Sequence, residues 1–314
     1  MEAPLNRAIS LRNLTCVYCG CEFNNERPAT KEHVIGRNFV PWGSIAANDW
    51  NLILQCCCRC NNLKSALENE ISAVTMQPGL TEPHNDSILA EIARRKAQKV
   101  RSSVSGELIK DSISRETIEG SLAPGVSISL DFLAPPQLRH DSVLRLARAQ
   151  IQAFFYLITY NETTRTGGGL PGDITWLRFA RRTDWGSNLF GSFTQATRSW
   201  RPRVRGDGAQ GNYRIAINRK DVKTDLWSFA LEWNKSLRVI GFFGEATAST
   251  RVLESLTFDQ MFESRPGEKY RPEIPLLTSE NDLFECAHLA CSGVDSQQEC
   301  SASDKKLGYS REET

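Results

Sequence analysis

The chain has 314 residues, 40% hydrophobic and 24% charged, with a net charge of +1. That is ordinary for a soluble globular protein long enough for two domains. No apolar run approaches the roughly 18 residues that span a bilayer, and the opening MEAPLNRAISLRN lacks a basic n-region and an apolar core, so no membrane contact and a cytoplasmic location are expected.

In chain order, residues 14–70 read as one compact unit organised by a metal. LTCVYCGCEF suggests a strand turning through a metal knuckle, His33 to Ile35 a short apolar strand, and WNLIL a second strand. RCNNLKSALENEISAV predicts a helix, with Leu63, Ala66, Leu67 and Ile71 spaced by three or four. Residues 75–85 hold two prolines and a glycine and read as a linker. A basic amphipathic helix is expected over 86–101, opened by Asp86. VSISLDF is strand-like and is followed by Pro135 and Pro136.

The clearest helix is 140–160, where Val143, Leu144, Ala147, Ile151, Phe154, Phe155 and Ile158 form an apolar stripe. Beyond it the reading is mainly β: ITWLRFARR, LFGSFTQA, NYRIAINRK, and a hairpin of LWSFALEW and LRVIGFFG turning at Asn234 to Ser236. The tail from about 292 is polar and reads as loose. The expected class is therefore α+β: a metal-bearing unit at 1–75, a connection at 76–135, a domain at 136–291 with one long helix and a β-rich remainder, and a flexible tail at 292–314.

Ten cysteines are present, seven of them between Cys16 and Cys60. Cys16-Val-Tyr-Cys19 and Cys57-Cys58-Arg59-Cys60 form two C-x2-C pairs, with 37 residues between them. In a reducing compartment this spacing reads as a closed, tetrahedral, structural zinc site. Cys21, Cys56 and Cys58 leave the exact set open, and Cys56 is an alternative to Cys57 as ligand. C-A-H-L-A-C, from Cys286 to Cys291, offers only three ligands and is a weak second candidate.

Charge is unevenly distributed. Residues 136–220 carry 14 basic and 5 acidic side chains, a net of +9; residues 221–314 carry 10 and 17, a net of −7. Thirteen of the 14 basic residues are arginines, which suit phosphate contact, and Arg178, Arg181 and Arg182 are candidate nucleic-acid contacts. The interspersed Trp176, Phe179, Trp185, Phe190, Phe193 and Trp200 could stack on bases, but strand-like spacing makes core filling the preferred reading.

Between and just after the cysteine pairs lie Glu32-His33 in E-H-V-I-G, Asn51 in W-N-L-I-L, and Asn61 and Lys64 in C-N-N-L-K. This order over residues 14–70 resembles the HNH endonuclease family, the ββα-metal nucleases, of the kind that carries a zinc knuckle. The resemblance implies a metal-dependent enzyme that hydrolyses phosphodiester bonds in DNA. It assigns His33 as the general base, Glu32 and Asn61 as ligands of a catalytic Mg2+ or Mn2+, Asn51 as a brace between the strands, and Lys64 as a basic residue near the phosphate. The chemistry is coherent: an imidazole titrating near neutrality suits the base, and oxygen donors suit a hard ion. The gaps from His33 to Asn51 and from Asn51 to Asn61 are 18 and ten residues, slightly longer than usual for the family. Such chains resemble bacterial proteins in which the nuclease is followed by a long region, which suggests a phage-defence effector with a partner protein or a second copy. A non-catalytic zinc module that binds nucleic acid or a partner, and an RNA-directed nuclease, are the other readings.

Overall fold

The computed structural model describes residues 8–45, 51–77, 87–112, 114–123, 126–134, 136–265, 268–270, 272–276 and 283–284. The expected tail, most of the linker at 75–85, Asp86 and the C-A-H-L-A-C motif lie outside them. Among the described residues no helix is long and apolar enough to cross a membrane. The class is α+β.

The N-terminal part is a three-stranded sheet and a helix. Strand β1 (Ile9–Ser10) runs parallel to β3 (Leu52–Cys57), and β2 (Ala29–His33) pairs antiparallel with β3, from Ala29 opposite Cys57 to His33 opposite Ile53. The strand expected at His33–Ile35 thus lies earlier, and only one further bond, Val34 N–H to Leu52 O at 2.9 Å, continues it. Val34 and Ile35 instead turn fully into the core. Helix α1 (Cys58–Thr75) follows β3 with no intervening loop, Cys57 being its N-cap. The knuckle residues form no strand beyond the isolated bridge Thr15–Glu22. Asn13 fastens them to β3: its amide donates to Gln55 O at 2.7 Å and accepts from Gln55 N–H at 2.8 Å.

Helix α2 (Ser87–Ala97) leads to a β-ribbon of β4 (Ser114–Ala123) and β5 (Val126–Ala134). Helix α3 (His140–Ile158) matches the expected periodicity and buries Val143, Ala147, Ile151, Phe154 and Phe155. It packs on an antiparallel five-stranded sheet comprising β6 (Ile174–Arg181), β7 (Arg201–Gly208), β8 (Tyr213–Arg219), β9 (Leu226–Trp233) and β10 (Leu237–Gly244), in the order β6-β10-β9-β8-β7. Asn234 and Lys235 turn the central hairpin with φ of 53° and 54°, the left-handed region that such tight turns require.

LFGSFTQA is not a strand. It lies in helix α4 (Asn188–Thr197), which buries Leu189, Phe190, Phe193 and Thr197; spacings of three and four put these side chains on one helical face. With helix α5 (Ala246–Leu253), α4 covers the sheet face opposite α3. Every residue of β9 is therefore buried, as a strand covered on both sides must be. A short ribbon, β11 (Phe262–Arg265) with β12 (Glu268–Tyr270), ends the described elements.

One hydrophobic core runs from Cys16, Val34, Phe39 and Leu54 through α3 to Trp233 and Phe243 in the sheet. Phe39 packs edge-on against Trp233 at 5.7 Å, and the Asn234 amide donates to Phe39 O at 3.0 Å and to Thr75 Oγ1 at 2.8 Å. The cysteine-bearing segment and the large sheet thus belong to one compact unit.

Candidate functional site

The four thiols of Cys16, Cys19, Cys57 and Cys60 lie within 4.8 Å of one another. Local structure brings them there. Gly20, with φ of 69°, closes the first knuckle, where Gly20 N–H bonds Cys16 O and Cys16 N–H bonds Cys21 O, both at 2.8 Å. The second pair straddles the junction of β3 and α1. Thiolates placed tetrahedrally at about 2.3 Å from zinc stand about 3.8 Å apart, and Cys19 and Cys57 are 3.9 Å apart. The set fits a structural metal such as zinc. Of the remaining thiols, Cys56 turns away to Thr30 Oγ1 at 3.4 Å, which separates it from Cys57, and Cys21 lies 3.3 Å from Cys19.

The hairpin face beneath α1 holds Thr30 and Glu32, which alternate along β2. The Asn61 amide donates to Thr30 Oγ1 at 3.1 Å. One helical turn later, Lys64 Nζ sits 2.7 Å from Glu32 Oε1, 2.6 Å from Glu68 Oε1 and 3.3 Å from His33 O. Tyr18 O–H donates to the same Glu32 oxygen at 2.8 Å. Glu32 and Lys64 are each only 3% exposed. Burial disfavours the Lys64 charge, yet the two carboxylates outweigh it and hold its pKa above the usual lysine value; burial pushes the Glu68 carboxyl up. Lys64 is therefore enclosed between two carboxylates instead of being presented to a phosphate. The reason is the i, i+4 spacing to Glu68 together with the facing Glu32.

His33 is the next residue on β2, so alternation turns it to the other face from Glu32. Its Nε2 is buried and has no hydrogen-bond partner. Burial, with Arg37 and Lys31 nearby, lowers its pKa, so the ring is neutral at neutral pH. Asn51 bonds both polar groups of Ile35: its Oδ1 accepts from the N–H at 3.2 Å and its Nδ2 donates to the carbonyl at 2.9 Å. It braces the loop between the two strands. Asn61 lies inside the first turn of α1, not at its cap.

Comparison with protein-family models, with curated proteins and with solved structures gives no match.

A divalent ion at Glu32 fits this geometry poorly. One carboxylate oxygen already takes Tyr18 and Lys64; the other faces Cys56 Sγ at 3.8 Å. The candidate phosphate contacts also divide. Arg178 is exposed and stacks over Trp176 at 5.7 Å, and Arg182 is exposed, but Arg181 is spent on Pro136 O. Trp185 and Trp200 are buried in one cluster with Phe190 and Phe193 of α4, and Trp176 packs against it, so these aromatics fill the core. Sequence reading missed Tyr18 and Glu68 as partners of the site; the Lys64–Glu68 spacing was the available signal. It also missed the grouping of Arg201, Arg203 and Arg219. Arg201 stands opposite Arg219 across β7 and β8, and Arg203 occupies the bulge beside them. Burial and these two neighbours lower the pKa of Arg203.

Proposed function

We propose that residues 14–70 are an HNH-type nuclease module that hydrolyses phosphodiester bonds in DNA, with His33 as the general base. The observation that carries this reading is the hairpin-and-helix unit joined at the four thiols, in which β2 carries Glu32 and His33 on opposite faces and α1 sets Asn61 against Thr30. The family order of motifs in the sequence supports it from a second side.

In this reading each side chain has a limited task. The unpartnered Nε2 of neutral His33 takes a proton from the attacking water. The Asn51 brace holds the Ile35 end of the His33 strand. Asn61 offers an amide on the adjoining helix. A bound Mg2+ or Mn2+ would neutralise phosphoryl charge; Glu32 does not fit such an ion while Lys64 holds its carboxylate.

Nicking of supercoiled plasmid with Mg2+, Mn2+ or chelator tests the reading. Removing a general base costs about 10²–10⁴-fold, so His33→Ala should lose at least a hundredfold in rate. Cleavage that survives that substitution would remove the proposed base. Digesting duplex DNA, single-stranded DNA and RNA side by side decides the substrate class.

The enclosure of Glu32 favours a second reading, a zinc module that binds nucleic acid or a protein partner without cutting. It requires binding with no cleavage in any divalent metal, and affinity that falls steeply with salt if phosphates dominate. A role as a phage-defence effector, with a partner protein or a second copy, rests on the resemblance alone.

A further inference from the structure

We infer that the Lys64 ammonium is the resident cation of the Glu32 carboxylate, and that Lys64 and a divalent ion exclude one another there. The inference takes from the nuclease reading only the expectation that an ion belongs at Glu32.

An ammonium has three N–H donors. Those of Lys64 have three acceptors: Glu32 Oε1 at 2.7 Å, Glu68 Oε1 at 2.6 Å and His33 O at 3.3 Å. Tyr18 O–H closes a further approach to the same Glu32 oxygen. Mg2+ requires ligands at about 2.0–2.1 Å in near-octahedral array. An ion that close to Glu32 would share the carboxylate with a like charge in a site that is 3% exposed, with little water to screen the two.

Glu68 cannot easily follow a departing lysine. Its carboxylate is pressed against Gly36: it accepts the Gly36 N–H at 3.3 Å, and a Cβ on Gly36 would lie 2.5 Å from Glu68 Oε2. Two carboxylate oxygens therefore converge on the point that Nζ occupies. Removing the ammonium leaves two buried carboxyl groups facing one space, and a hard divalent ion, which takes oxygen ligands, could displace the proton that they would otherwise share. Ion-dependent cleavage by the native chain then uses an ion held without Glu32, or a form in which Lys64 has left it.

The test is Mn2+ titration of the zinc-loaded full chain, reading free Mn2+ by electron paramagnetic resonance. It is independent of the nicking assay, so loss of one proposal is distinguishable from loss of the other. Native protein and Glu32→Gln should bind Mn2+ alike, within twofold. Lys64→Ala should bind at least tenfold more tightly than native, and Lys64→Ala with Glu32→Gln should lose that gain. A native Mn2+ affinity that drops tenfold on Glu32→Gln overturns the inference, as does a folded Lys64→Ala chain with no gain. Should Lys64→Ala fail to fold, the comparison of native protein with Glu32→Gln decides by itself.

Discussion

Gly36 and Gly191 show how differently one residue type can be used. At Gly36 a methyl group would fall 2.5 Å from the Glu68 carboxylate, which Lys64 holds in place. Overpacking of this kind costs about 1–3 kcal/mol, so Gly36→Ala should lower the melting temperature. Gly191 lies within α4 with nothing within 4 Å of the added carbon. Alanine there should stabilise by roughly 0.5–1 kcal/mol. Equal effects of the two substitutions in a urea melt would contradict the Gly36–Glu68 contact.

Lys96 is a second instance of charge under burial. Its ammonium bonds Asn38 O and Ser72 Oγ, and burial lowers its pKa to about 8, with Glu68 opposing. The unfolded value is near 10.5, so the folded chain binds fewer protons between these values. Stability should therefore rise with pH across that window, by up to about 3 kcal/mol relative to Lys96→Met. Urea melts of both chains at pH 7 and pH 10.5 measure the difference. A constant gap between them would exclude the buried charge.

Among the elements, the junction of β3 and α1 carries the most consequence. Cys57 ends the strand and Cys60 lies in the first helical turn. A metal bound there with Cys16 and Cys19 ties knuckle, strand and helix at one point. Because Leu52, Leu54 and Cys57 belong to the same core as α3 and the large sheet, loosening that point should be felt beyond residues 14–70. One zinc per chain is expected by metal analysis. Stripping it with a strong chelator, or Cys57→Ser, should lower stability by several kcal/mol and shift the tryptophan fluorescence of the sheet in the same transition. A separate, earlier transition confined to the N-terminal part would show that the shared core couples the two weakly.

For the whole molecule, the net charge of +1 says little, and the distribution says more. Arg201 and Arg219 face each other across the strand pair, with Arg203 beside them and the Asp225 carboxylate 3.7 Å from Arg219. Clustered guanidinium groups near a sheet edge suit phosphates. If nucleic acid docks here, each lost phosphate contact reduces the salt slope by about 0.9. Arg201→Ser with Arg203→Ser should thus weaken DNA binding and reduce the slope by up to about 2, while Arg94→Ser with Arg95→Ser, whose side chains are exposed on α2, should not. An unchanged slope would remove this edge as the docking surface.

The thiol set was legible because a C-x2-C knuckle is a matter of a few covalent bonds, and chain spacing fixes which sulfurs can converge. Helix α3 and the β9–β10 hairpin were legible because their apolar periods are long and unbroken. Helix α4 was not: its aromatic residues satisfy a strand pattern as readily as a helical one over so short a run, and only packing against the sheet selected between them. The fate of Lys64 was hidden for a related reason. Spacing set Lys64 on the face of Asn61, but it could not tell whether that face met solvent or a carboxylate on a strand 32 residues earlier. Burial beneath a neighbouring element, which costs a charge its water and makes the nearest opposite charge its partner, was decided by the tertiary structure alone.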